Sequence, residues 1–315
     1  MKDFKKRIVL ELGITVGLFV LMEVLMKVGV ISSYYQGILM TVCINVILTV
    51  SLNVTAGFLG ELALGHAAFM AIGAYCSAYL TKNVLTLGAL SFPVGLLLGG
   101  LAAGLVGLIV CLPTLRLRGD YLAIITLAFG EIIRNILNNF APFGKAVGLS
   151  GIPKYSTFEW AFVLAAATVL ITTSLIRSRH GRALICIRED EIAAESAGIN
   201  TNYYKILAFV FSAFFAGIGG ALYAHYMRLL QPSIFSLDKS IEILVMVVLG
   251  GMGSIKGSVI SAVILTLLPE LLRSFSDYRM LMYSVVLIVM MLVKYAPQFA
   301  SVLNFFTKRK EKIHE

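Results

Sequence analysis

Five polar residues lie in or beside strongly apolar stretches of this sequence and are the first candidates for chemistry: Asn53, Glu61, His66, Thr126 and Glu131. Polar groups in a lipid-facing chain are costly unless they face a bundle interior or a wet path. Such groups could make weak contacts with a solute that crosses the bundle. Alternatively, they could hydrogen-bond between helices and hold the bundle together. The sequence leaves both interpretations open.

Motifs for catalysis and nucleotide binding are absent from the sequence, which contains no GxxxxGK[ST], HExxH or GxSxG segment. The glycine-rich segment 250–257 resembles a phosphate loop but lacks the required Lys-Ser/Thr, so it predicts a tight turn between two helices. The four cysteines form no CxxC pair. We therefore expect no enzyme, no metal site and no cofactor, and any driving energy must come from a gradient or from partner subunits.

The composition indicates a membrane protein. Hydrophobic residues make up 59% of the chain and charged residues 14%, against about 45–50% and about 25% in soluble domains. About 20 apolar residues cross the hydrocarbon layer as a helix. We predict an all-α bundle, one domain over residues 1–315, in which 62–81, 120–138 and 240–254 could be broken or re-entrant. The ten predicted spans are 8–30, 37–56, 62–81, 89–112, 120–138, 158–176, 204–226, 240–254, 258–273 and 280–297.

The net charge of +9 follows from loop charge in a membrane protein rather than from nucleic-acid binding. With ten alternating spans, 17 of the 26 Lys and Arg residues fall on the side of the two termini. Because basic residues accumulate in cytoplasmic loops, both termini are expected to be cytoplasmic. The sequence has no basic-aromatic stripe that would predict a nucleic-acid partner.

Two loops are long enough to have structure of their own, an external one at 139–157 and a cytoplasmic one at 177–203. The cytoplasmic loop contains a predicted short helix over 188–200, with acids in the first turn and a left-handed termination at Gly198 or Asn200. Its expected docking residues are Glu191, Ala193, Ala194, Ala197 and Gly198, with the three alanines on one side. Small side chains let another protein approach closely; the alternative is a solvated surface helix.

The sequence of this helix resembles the EAA-x3-G loop by which permeases of ATP-binding-cassette importers contact their ATPases, although Ile192 stands where the pattern has Glu. Four further stretches resemble the branched-chain amino acid permeases of the LivM type: 57–69, 118–132, 148–153 and 248–257. The likeness runs in order from about 37 to 297. It departs in the external loop, where Phe143, Gly144 and Lys145 replace an expected Thr-Gly-Gly.

The resemblance implies an importer subunit in a bacterial cell membrane. Such permeases pair with a second, related permease and with two ATP-binding subunits, and they receive solute from an external binding protein. Leucine, isoleucine and valine are the usual cargo, and close relatives carry urea or short amides. The rival from another class is a gradient-driven carrier working alone, for which Glu61, Glu131 or Glu242 would have to form a committed ion site. That carrier would leave the docking helix without a purpose.

Overall fold

The computed structural model describes residues 32–84, 88–115 and 120–272, with isolated positions between 17 and 23 and between 284 and 291. The predicted spans 8–30 and 280–297 therefore lie almost wholly outside the described residues. The described helices are α1 (Ser33–Asn53), α2 (His66–Asn83), α3 (Ser91–Thr114), α4 (Asp120–Asn139), α5 (Phe158–Arg177), α6 (Arg179–Glu189), α7 (Glu191–Ser196), α8 (Thr201–Met227), α9 (Leu237–Gly250) and α10 (Ile255–Leu271).

Five helical segments are long and apolar enough to cross a membrane, and they confirm the five corresponding predicted spans: Tyr34–Leu59, Ser91–Thr114, Tyr121–Asn139, Phe158–Arg177 and Thr201–Met227. The first of these is α1 extended by a π-helical turn at Val54–Leu59. Helices α2, α9 and α10 occupy the predicted spans 62–81, 240–254 and 258–273. The 14 residues of α9 extend only about 21 Å, less than the hydrocarbon thickness. The all-α membrane bundle is confirmed, and the count of ten spans stays a prediction.

Small residues bring α2, α3 and α8 into backbone contact. A Cβ atom at Gly99 of α3 would lie 2.7 Å from the Gly73 carbonyl oxygen of α2, and one at Gly217 of α8 would lie 2.6 Å from Ala103 Cβ. Transmembrane helices lack a hydrophobic driving force between them, so such close packing is their main source of association. These three helices form the tightest part of the bundle.

Helix α1 runs through the centre and packs against α5, α8, α9 and α10. Ile47, Leu48, Val50 and Leu52 are fully buried, so apolar residues of this segment face neighbouring helices on more than one side. The chain then reverses at Gly60, whose φ of 84° is left-handed and favours glycine. Residues 60–65 form a non-helical turn before α2 begins at His66.

The two ends of the bundle have different structures. At one end, which we call the α7 end, α6 and α7 lie against the turns that follow α1 and α9. Arg188 Nη1 of α6 donates a hydrogen bond there to the Gly57 carbonyl oxygen (3.0 Å). At the other, the strand-pair end, Leu149–Ser150 (β1) pairs antiparallel with Leu229–Leu230 (β2). Lys82 Nζ donates to the Ser150 carbonyl oxygen there (2.7 Å). The α7 end carries the loops predicted to be cytoplasmic, and the strand-pair end carries those predicted to be external.

The glycine-rich segment 250–257 is a tight turn between two helices, as predicted. Helix α9 ends at Gly250 and α10 begins at Ile255. Gly251 and Gly253 have φ of 98° and 81°, and the Gly253 N–H donates to Asn53 Oδ1 (3.0 Å). The turn is therefore attached to the end of α1, at the α7 end.

Candidate functional site

Helix α7 is shorter than the predicted 188–200 helix. Asp190 has an extended backbone, with φ of −159°, and its Oδ1 accepts hydrogen bonds from the Ile192 (2.9 Å) and Ala193 (3.0 Å) N–H groups. This N-cap separates α7 from α6, so the predicted start at Arg188 is wrong: that residue belongs to α6. The end is as predicted, because Gly198 has φ of 82°.

The three alanines do not share one outward side, which differs from the expected docking face. Ala194 is only 4% exposed and belongs to the protein's own core. Ala193 and Ala197 are exposed, and the neighbouring Ile192 is 64% exposed. Glu195 is exposed as well, but its Oε1 accepts a hydrogen bond from Thr201 Oγ1 (2.8 Å). The surface that α7 offers to another protein therefore consists of Ile192, Ala193, Ser196 and Ala197, with Glu195 at its edge. Ala194 instead anchors the helix to the bundle.

A buried ion-pair cluster links α7 to the membrane helices. Lys205 Nζ of α8 lies 2.7 Å from Glu61 Oε1 and 2.9 Å from Glu191 Oε1, and its side chain is 3% exposed. Burial raises the pKa of Glu61 above its ordinary value, and the ion pair with Lys205 offsets only part of that shift. We call these three residues the Lys205 cluster. It joins the turn before α2, the first turn of α7 and the start of α8.

Arg188 supplies a second link at the α7 end. Besides its bond to Gly57, its guanidinium pairs with Glu189. The glycines opposite leave it space: a Cβ atom at Gly60 would lie 2.6 Å from Arg188 Cγ, and one at Gly253 would lie 2.9 Å from Arg188 Nη1. The guanidinium thus lies across both glycine-containing turns, the one after α1 and the one after α9.

Sequence reasoning missed the roles of Lys205 and Arg188, which entered only as basic residues of the cytoplasmic side. A signal was present for Lys205, since it is the one charged residue of the 27 in α8. A lone charge within an apolar helix predicts a partner nearby. The identity of that partner depends on how distant segments pack, which spacing does not give.

Three of the five candidate pathway residues make hydrogen bonds between segments. Asn53 Nδ2 donates to Ser258 Oγ of α10 (2.8 Å), and His66 Nε2 hydrogen-bonds to Ser51 Oγ of α1 (3.1 Å). Thr126 Oγ1 of α4 accepts from the Leu64 N–H (3.0 Å). All three are at most 1% exposed. These contacts hold the 60–65 turn and the ends of α1, α2 and α10 together.

The other two candidates form ion pairs. Glu61 belongs to the Lys205 cluster, and Glu131 pairs with Arg134 (2.5 Å) one turn along α4, as the spacing predicts. Each side chain of that second pair is 34% exposed. The hydrogen bonds and ion pairs of the five residues join each of them to other groups rather than to one another. Their assignment to a solute path stays a prediction. Three of them also make hydrogen bonds between segments, as the alternative interpretation expects.

Comparison with known proteins finds relatives over most of the sequence. The family model described as "Branched-chain amino acid transport system / permease component" matches residues 34–294. The chain is 37% identical over 284 residues to the high-affinity branched-chain amino acid transport system permease protein LivM of Salmonella typhimurium, which covers 79% of this chain. It is 25% identical over 280 residues to LivH of Escherichia coli, covering 78% of this chain and 88% of LivH.

A ribose import permease, RbsC of Haemophilus influenzae, is 28% identical over 223 residues, 64% of this chain and 67% of that protein. The chain spans 66% of the length of LivM. No solved structure matches it significantly. Since the family model covers most of the sequence and the helices of the bundle, the chain belongs to the family of branched-chain amino acid transport system permease components.

Proposed function

We propose that this chain is the membrane-spanning permease subunit of an ATP-binding-cassette importer for leucine, isoleucine and valine. It would work in a bacterial cell membrane with a second, homologous permease, two cytoplasmic ATP-binding subunits and an external solute-binding protein. One observation carries the proposal: α7 offers an exposed surface of small and apolar side chains while its buried side is fixed to the membrane helices. That is the arrangement a coupling helix requires.

The contacts of α7 supply a route for coupling. An ATPase that shifts α7 would pull on Glu191, and through Lys205 on Glu61 in the turn before α2. The movement of α6 would act through Arg188 on the turns after α1 and α9. These attachments are short ionic and backbone contacts, so displacement of α7 is transmitted directly to four membrane helices, α1, α2, α8 and α9.

Urea or short-amide import by a member of the same family is the nearest alternative, because the external loop departs from the LivM pattern at residues 143–145. A gradient-driven carrier fits less well. Of its candidate acids, Glu131 is paired with Arg134 at 2.5 Å, and Glu61 shares Lys205 with Glu191 at 2.7 and 2.9 Å. A carrier working alone would also leave the exposed surface of α7 without a function.

Enlarging the α7 surface tests the docking role. In Ala193→Leu and Ala197→Leu, added methylene groups overpack a close contact at about 1–3 kcal/mol, which corresponds to roughly one to two decades of affinity. We expect co-purification of the ATP-binding subunit and leucine uptake to fall together, while the amount of inserted protein stays normal.

The matched control is Ala141→Leu, the same change at an exposed position at the strand-pair end, which should leave co-purification unchanged. Ala194→Leu is not a test of docking, since that side chain is inside the bundle. Wild-type co-purification in both surface variants would show that α7 is not where the ATPase binds.

A further inference from the structure

A cavity of about 580 Å³ lies between α1, α9 and α10, apart from the contacts of α7. Four of its lining residues are charged, Asp238, Lys239, Glu242 and Glu270; three are polar, Thr41, Asn45 and Thr266; and the aliphatic ones include Ile241, Val245 and Leu265. Its volume is within the range of about 300–1,000 Å³ typical of small-molecule sites.

The chemistry of the lining changes with depth. Helix α9 begins at the strand-pair end, a few residues after β2, and Asp238, Lys239 and Glu242 are in its first two turns. Glu270 is in the last turn of α10, whose first turn is at the α7 end. The charged groups therefore surround the strand-pair end of the cavity. Further in, Asn45 Nδ2 of α1 donates to Thr266 Oγ1 of α10 (2.8 Å).

We propose that this cavity binds a free amino acid with an aliphatic side chain as it enters the bundle from the strand-pair end. The inference rests on the proposed import function and adds a location and a recognition chemistry to it. The amino acid's ammonium would pair with carboxylates of Glu242 and its neighbours, and its carboxylate with Lys239 Nζ. The aliphatic side chain would lie against Val245 and Leu265, one to two turns deeper.

The charge set selects for a zwitterion. Three carboxylates alone would suit any cation, but Lys239 is the one cation among the described residues of the lining and provides a place for a carboxylate. A sugar has neither a positive nor a negative charge, so it could not form an ion pair with the carboxylates or with Lys239. The location is also appropriate, because an imported solute arrives opposite the ATPase-binding end.

The existing ion pair in the cavity can exchange partners. Lys239 Nζ lies 3.0 Å from Glu242 Oε2 one turn along α9, and the Glu242 side chain is 40% exposed. The Lys239 side chain is 17% exposed, so the pair is partly buried. An amino acid supplies one charged group for each partner and can therefore replace both. The result is weak binding, which a transport site needs because the solute must leave again.

Thiol protection tests the site in the assembled transporter. Val245→Cys places a thiol in the lining, and a membrane-impermeant maleimide is applied from outside intact cells. By mass action, leucine at about ten times its half-protecting concentration should slow labelling by about tenfold. Isoamylamine and 4-methylvalerate, which each lack one of leucine's two charges, should protect at much higher concentrations only. Ribose should not protect.

Two matched variants make the result specific. Val147→Cys, on an 80% exposed side chain at the same end, should label with or without leucine. Added to Val245→Cys, Lys239→Met should raise the half-protecting leucine concentration by about fivefold. Lys154→Met, which removes a charge at an exposed position outside the lining, should not change it.

The possible failures are distinguishable. Failure of Val245→Cys to label, or leucine uptake without protection, would overturn the cavity as the entry site. Equal protection by isoamylamine would assign the cavity to cations and overturn the zwitterion chemistry. Protection by leucine in a fully assembled transporter that takes up no leucine would leave the cavity standing and overturn the import function.

Discussion

Lys205 holds two acidic segments against the membrane helices, and its removal has a defined cost. In Lys205→Met, the carboxylates of Glu61 and Glu191, which are 16% and 22% exposed, lose their common partner and repel each other. Breaking a buried ion pair from one side costs about 3–5 kcal/mol. We expect the thermal unfolding midpoint of the detergent-purified chain to fall clearly below that of the wild type.

Two companion variants separate charge from packing. Lys205→Arg keeps the positive charge and should retain most of the stability. Combining Lys205→Met with Glu61→Gln removes one of the two carboxylate charges that Lys205 balances in the wild type. The double variant should therefore be more stable than Lys205→Met alone. An unchanged unfolding midpoint in Lys205→Met would mean that the cluster contributes nothing to the fold.

Individual polar residues show what sequence could and could not reveal. Glu131 and Arg134 are neighbours on one helix, and their pairing follows from spacing alone. Glu61 and Lys205 are 144 positions apart, and their ion pair exists only because the turn before α2 folds against the start of α8. Asn53, likewise, was identifiable as a buried polar residue, while its partners Gly253 and Ser258 come from the packing of α10 on α1.

Helix α7 shows the same division between local and tertiary information. The acidic residue in its first turn and its termination near Gly198 depend on neighbouring residues and could be predicted, whereas its separation from α6 at Asp190 was not. Its register in the structure depends on which side the bundle covers. In a helix of 6 residues with alanines at 193 and 194 and a third at its C-cap, Ala197, periodicity alone does not select the buried one. Anchoring by Glu191 to Lys205 decides it, and Ala194 turns inward.

The left-handed end of α7 gives a second test of coupling. Gly198 has no atom within 4 Å of where a Cβ would stand, so a substitution there meets backbone strain and no clash. Gly198→Val should cost about 1–2 kcal/mol in the left-handed conformation and shift the exit of α7. We expect weaker co-purification of the ATP-binding subunit, with the unfolding midpoint of the bundle lowered only slightly.

Asparagine tolerates the left-handed conformation better than valine, which makes Gly198→Asn the appropriate comparison. It should retain more ATPase association than Gly198→Val. If valine and asparagine weaken association equally, side-chain bulk on the docking surface rather than backbone conformation is responsible.

The arrangement of the bundle ends agrees with the charge distribution along the chain. The positive-inside rule and alternation of helices assign 57–61, 177–203 and 255–257 to one side. The structure brings residues of the first two regions together around Arg188 and the Lys205 cluster, with Gly253, just before the third, beside Arg188. The residues assigned to the opposite side meet at β1, β2 and Lys82.

Hydropathy predicted the long helices because the apolar character of each depends only on the residues of that helix. The short α9 and the 60–65 turn depend on contacts with α1 and α4.

The orientation of this bundle in the membrane is the last prediction, and it tests the whole import scheme. With Cys186 replaced by Ser to remove an exposed native thiol, Ser150→Cys at the strand-pair end should react with an impermeant maleimide on intact cells. Ser178→Cys, before α6, and Ser196→Cys, on α7, should react only after permeabilisation. Because ATP is cytoplasmic, the α7 end must be inside for an ATPase to reach it. Labelling of Ser178→Cys and Ser196→Cys from outside, with Ser150→Cys protected, would invert the bundle, and α7 could then not be the coupling helix.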